Sequence, residues 1–129
     1  MNTPKVYISW GELFDKITIL QIKLEKIDSK KALKNIKKEY DELNLIFLDN
    51  FSINKVAKEF MIELKFINQK LWDIEDLIRE KEKNNSFDKY FIELARKVYF
   101  TNDDRSLIKR KINECFGSEF IEEKLYSDY

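Results

Sequence analysis

An all-α fold is predicted, a single-domain helical bundle of about five helices around one long central helix. Three observations predict it. The 129 residues include only two Gly and one Pro, so little punctuates a helix. Hydrophobic residues make up 43% and charged ones 37%, with helix-forming Lys, Glu and Leu abundant. Apolar positions recur at alternating spacings of three and four, the period of one helix face. A chain of this length fits one domain, residues 1–129, with a hydrophobic core of its own.

Residues 1–8 read as an extended segment or short strand, because Val6, Tyr7 and Ile8 favour extended backbone. Ser9-Trp10-Gly11-Glu12 has the form of a capping box, in which Ser9 takes an orphan amide and Glu12 reaches back. Gly11, in the first turn, weakens the helix little. Helix one then runs from about Trp10 to Ile27, with a seam of Leu13, Ile17, Leu20, Leu24 and Ile27. Phe14, Ile19 and Ile22 fall off that seam. A helix apolar on more than one side belongs near the centre of a bundle.

Asp28-Ser29 breaks and caps. Helix two, about Lys30 to Leu48, carries Leu33, Ile36, Tyr40, Leu43 and Phe47, and the short loop makes an antiparallel hairpin with helix one. After a break at Asp49–Ser52 comes the long third helix, Ser52 to Lys83, reaching roughly 45 Å at 1.5 Å per residue. Its core stripe is Phe60, Leu64, Ile67, Leu71, Ile74 and Ile78. Asn84–Ser86 ends it. Helix four starts near Phe87, with Phe87, Phe91, Leu94 and Val98 inward. Thr101-Asn102-Asp103-Asp104 looks like a second cap and starts helix five, with Ile108, Ile112 and Cys115 as its core face. Gly117 is a left-handed stop, Ser118 a further cap, Glu119 to Lys124 a last short turn or helix, and residues 125–129 a loose tail.

Composition removes several functions. Basic and acidic residues number 24 each, so the net charge is zero. A nucleic-acid or anionic-membrane binder would show a basic surplus, and neither partner is expected. The absence of histidine removes the commonest general base and metal ligand. Cys115, the single cysteine, has no partner for an internal disulfide and reads as a small core residue. No stretch approaches a membrane span or signal peptide. A soluble cytoplasmic protein without cofactor or metal is expected.

Chemistry is sought in three places. The first is a pair of stripes bordering the core on helices one and three. Glu12, Asp15, Lys16 and Lys23 lie on the flank of helix one, and Asn68, Trp72, Glu75, Asp76 and Arg79 on that of helix three. Facing one another, Lys16 or Lys23 would meet Glu75 or Asp76, and Arg79 would meet Glu12 or Asp15. Such an arrangement is either a set of register-fixing ion pairs or a polar groove floored by Trp72 for a small charged or hydroxylated ligand. The second place is the corner between helices four and five, where Arg96, Tyr99, Asn102, Arg105 and Lys109 surround a helix N-terminus. That is a natural anion site, although Asp103 and Asp104 can satisfy the helix dipole themselves. The third is metal-assisted hydrolysis by Glu39-x-x-Glu42 and Asp73-x-x-Asp76, acidic pairs that any solvated helix surface carries.

Three segments taken in order resemble one family: Ser9 to Lys23 (SWGELFDKITILQIK), Leu71 to Arg79 (LWDIEDLIR) and Phe91 to Asp103 (FIELARKVYFTND), with Gly117-Ser118 and Glu122 to Tyr126 at the end. This is a small uncharacterised all-helical family of bacterial and phage proteins, sometimes joined to tetratricopeptide repeats or found near glycosyltransferases of surface polysaccharide synthesis. The resemblance implies that context and no catalytic residue. The expected function is therefore a non-catalytic helical accessory or interaction protein, with a glycosyltransferase-like enzyme as protein partner. The alternative is a small enzyme or ligand binder acting on an anionic sugar or nucleotide through Lys16, Glu75, Asp76, Arg79, Arg96 and Arg105. A homo-oligomer is a further expectation, formed through an apolar flank containing Phe14 and Ile22.

Overall fold

The computed structural model describes residues 1–129, and it is all-helical with four helices: α1 (Trp10–Lys26), α2 (Lys30–Phe51), α3 (Lys55–Lys83) and α4 (Lys89–Phe116). Residues 1–8 are exposed and form no strand. Side-chain caps open every helix, from Ser9, Ser29, Asn54 and Asp88 in turn. Each accepts a hydrogen bond from the backbone N–H three residues on and satisfies one orphan donor. The second break lies three residues later than expected, because Phe51 is needed in the core and α2 continues until it is delivered.

The expected fourth and fifth helices are one. Thr101 is buried inside α4 and caps nothing. The four weak helix formers at 101–104 contain neither Gly nor Pro. Once a helix is running, each such residue costs only a few tenths of a kcal/mol, too little to stop propagation. At 29 and 28 residues, α3 and α4 are each about 43 Å long. They form a hairpin closed by Asn84–Asp88, with Asn85 at φ 51° taking the left-handed turn. Gly117 ends α4 in the left-handed conformation (φ 64°), as expected. No helix follows it.

The centre of the bundle is α1, the shortest helix, which packs against the other three. The long α3 is a wall. Phe14 and Ile22 face inward and are 0% and 1% exposed, so they form no apolar flank for a second copy. The core draws Leu13, Phe14 and Ile17 from α1, Phe47 and Phe51 from α2, Ala57, Met61, Leu64 and Ile67 from α3, and Ile108 and Ile112 from α4. One end is aromatic. Phe14 meets Phe47 and Phe51 edge-on at 5.2 and 5.3 Å, Trp10 meets Phe51 at 5.0 Å, and Phe116 lies 4.7 Å from Phe51. These separations suit the ring quadrupole. Phe87 and Cys115, expected in the core, are exposed. Phe87 precedes its helix, and Cys115 falls beyond the arc that Ile108 and Ile112 bury.

Candidate functional site

The first turn of α1 is docked onto the last turns of α4. The Trp10 N–H donates to Ser118 Oγ (3.0 Å), the Gly11 N–H to Asn113 Oδ1 (2.7 Å) and the Glu12 N–H to Ser9 Oγ (3.1 Å). The Leu13 N–H donates to the Ser9 carbonyl (3.1 Å). That last is the first regular helical bond, and the three orphan donors of the first turn, on Trp10, Gly11 and Glu12, are all satisfied within the protein. A glycine is required here. A Cβ on residue 11 would lie 2.5 Å from the Lys109 carbonyl oxygen and 2.9 Å from Asn113 Oδ1. The sequence reading assigned Gly11 no role, since a contact made 98 positions away leaves no local trace.

Next along α1 comes a buried polar layer. Asp15 is 2% exposed. Its Oδ1 accepts from Asn68 Nδ2 and Arg105 Nε, each at 2.9 Å, and its Oδ2 accepts from Arg105 Nη2, so the guanidinium grips it two-handed. Asn68 Nδ2 also donates to Thr18 Oγ1 (2.9 Å), whose hydroxyl donates to the Asp15 carbonyl (2.8 Å). Lys109 Nζ bonds Glu12 (3.0 Å) and, from the C-terminal segment, Glu122 (3.1 Å). No buried side-chain polar atom lacks a partner. The Asp15 hydrogen bond raises the Arg105 pKa against the pull of burial. Burial also opposes the Lys109 ammonium, but Glu12 and Asp15 outweigh it and raise that pKa too.

Charges do converge between helices, as the sequence suggests, but on a different pair. The partners of Glu12 and Asp15 come from α4. From the nominated flank of α3 only Asn68 joins them. Arg79 pairs instead with Glu75 one turn away (3.4 Å), and Lys16 points to Glu39 on α2 (4.0 Å). Lys16 and Asp76 therefore share no site. Lys23, in the last turn of α1, is outside the layer. Arg96 lies over the Phe100 ring at 5.7 Å. The anion site expected at Thr101 has no helix N-terminus to support it.

Two hollows flank the layer, and Arg105 lines both. A groove of about 380 Å³ holds Trp72, Glu75, Asp76 and Arg79 over Ile19 and Ile22 of α1. A larger cavity of about 940 Å³ opens between α4 and the C-terminal segment. It takes Tyr99, Asn102, Arg105 and Lys109 from the helix, with Glu122, Lys124, Tyr126 and Tyr129 opposite. The C-terminal segment is held by Glu122 on Lys109, Glu123 on Arg110 (2.9 Å) and the Tyr129 ring against Tyr99 and Phe100 (5.2 and 5.0 Å). Asp73 accepts from Gln69 on its own helix (3.1 Å), and no group of three acidic or cysteine side chains converges as a metal set would. No helix is long and apolar enough to cross a membrane.

The sequence reading missed Thr18, Ser118 and Glu122. Thr18, three residues after Asp15 on the same face, was within reach of periodicity. Glu122 belongs to the Glu122–Tyr126 ending that the resemblance covers, but in an irregular segment no spacing assigns it a partner. With this geometry in hand, the chain belongs to DUF6165, a family of unknown function whose model matches residues 4–128. Neither a curated protein nor a solved structure matches it.

Proposed function

We propose that the chain is a non-catalytic helical accessory protein that works beside a sugar-transfer enzyme of surface polysaccharide or lipopolysaccharide synthesis. One observation carries the non-catalytic part: the buried polar groups are all paired with one another, Asp15 with Arg105 and Asn68, Lys109 with Glu12 and Glu122, and no buried side-chain polar atom is left without a partner. Proton-transfer catalysis needs an acid or base free to meet a substrate. Here the charges are locked on and matched to one another, which suits a rigid recognition surface. The sugar-transfer setting is supported by the resemblance of the Ser9–Lys23, Leu71–Arg79 and Phe91–Asp103 segments to proteins found near glycosyltransferases. Affinity capture with the full chain, read by mass spectrometry, should recover a glycosyltransferase. Turnover of a nucleotide sugar by the chain alone, with no enzyme captured, would overturn the reading.

A second reading, a binder or small enzyme for an anionic sugar or nucleotide, is favoured by the gathering of Trp72, Glu75, Asp76, Arg79 and Arg105 around one groove. It predicts quenching of Trp72 fluorescence by a nucleotide sugar, lost in Arg79→Ala. Unchanged fluorescence across a nucleotide-sugar panel removes it.

A further inference from the structure

We infer that the cavity between α4 and the C-terminal segment is a binding site for an uncharged polyhydroxylated ligand, a sugar ring or short glycan. The inference goes beyond the accessory reading, which names no ligand. Size permits it, since about 940 Å³ falls in the range of small-molecule sites. The lining sets the class. Its only hydrophobic members are three tyrosines, so an apolar ligand would gain little. The cations are spoken for: Arg105 is held by Asp15, Lys109 by Glu12 and Glu122, and Lys124 by Glu122 at 3.0 Å. With Glu122, Asp103 and Asp128 the walls carry three carboxylates against those three cations, so an anion entering here would meet no net positive charge.

A small cation fares no better, because the three carboxylates are matched by three cationic side chains on the same walls. What remains open is hydrogen bonding of both kinds. Asp103 and Asp128 accept, Asn102, Ser106 and Ser127 both donate and accept, and the lysines keep spare N–H donors. A polyol presents that mixture on every edge and an aliphatic C–H face besides. Tyr126, 70% exposed, offers a ring against which such a face can lie.

The test is an NMR titration of the full chain with methyl glucoside, N-acetylglucosamine and maltotriose. Expected are saturable shifts confined to amides of residues 99–109 and 122–129, with at least one ligand binding in the millimolar range. Tyr126→Ala and Asp103→Asn, both surface changes that leave folding intact, should each weaken binding about fivefold. Trp72→Ala, in the neighbouring groove, should change it by less than about twofold. No saturable shift by about 100 mM of any of the three sugars overturns the inference. So does tighter binding of glucose 6-phosphate or choline to the same amides, or shifts that map to residues 72–79. A failed glycosyltransferase capture leaves this result untouched, so the two readings fail separately.

Discussion

The aromatic end of the bundle and the polar layer beside it perform the same task by opposite physics. Both tie α1 to its neighbours within two turns of one another. Trp10, Phe14, Phe47, Phe51 and Phe116 do so by shape and area, with no atom requiring one particular partner. Asp15, Thr18, Asn68, Arg105 and Lys109 do so by direction, each bond needing its donor and acceptor in line. Area tolerates exchange and supplies most of the free energy. Direction tolerates none, and a buried ion pair adds little net stability over a well-packed apolar replacement. The polar layer selects one alignment of α1 on α4, and the rings make that alignment stable.

Breaking each region should expose the difference. Asp15→Ala should cost roughly 3–5 kcal/mol, because it strands the Arg105 guanidinium without its partner; urea unfolding would measure it. A loss below about 1 kcal/mol would show the layer to be slack. At the aromatic end Phe14→Ala should cost a similar ~3–5 kcal/mol, while Phe14→Leu should cost only about 1–2 kcal/mol. No comparable rescue is expected for Asp15→Asn, which keeps the shape and loses the charge. Gly11→Ala should cost about 1–3 kcal/mol by pressing a methyl into the Lys109 carbonyl, although it improves local helix propensity.

The two ends should also part company with pH. The Lys109 pKa is raised above its ordinary 10.5, so the bond to Glu12 contributes fully below about that pH and is lost as the pH climbs through the folded-state value. Hydrogen bonds from Lys124 and Lys109 lower the Glu122 pKa below its ordinary 4.5, so its contribution is present above about pH 4.5 and is lost on acidification. Thermal melts should therefore show a plateau between those limits. Phe14→Leu should lower that plateau without changing its edges, whereas Lys109→Met should blunt the alkaline edge. Smallest of all is Arg79→Ala, expected to change stability by less than about 0.5 kcal/mol, since its pair with Glu75 is largely solvated. A larger loss would mean that the α3 flank carries structure that its exposed ion pair does not explain.

What depends on near neighbours is legible in the order of residues alone. Helical class, the Ser9 and Ser29 caps, the Gly117 stop and the middle of the inward stripes (Leu13, Ile17 and Leu20 of α1, Leu64, Ile67 and Leu71 of α3) all follow from spacing and from side chains acting within one turn. Glu12, Asp15, Arg105 and Lys109 were all nominated from the sequence too, but in two separate places. Which of them meet was beyond it. Their partners lie some 90 positions apart in the chain, and a charge on a helix flank is compatible with any neighbour the packing brings. Packing alone sets the continuation of α4 through Thr101, the central place of α1 and the closure of Glu122 over Lys109. Those outcomes depend on fitting whole helices together, and no window of the sequence holds that information.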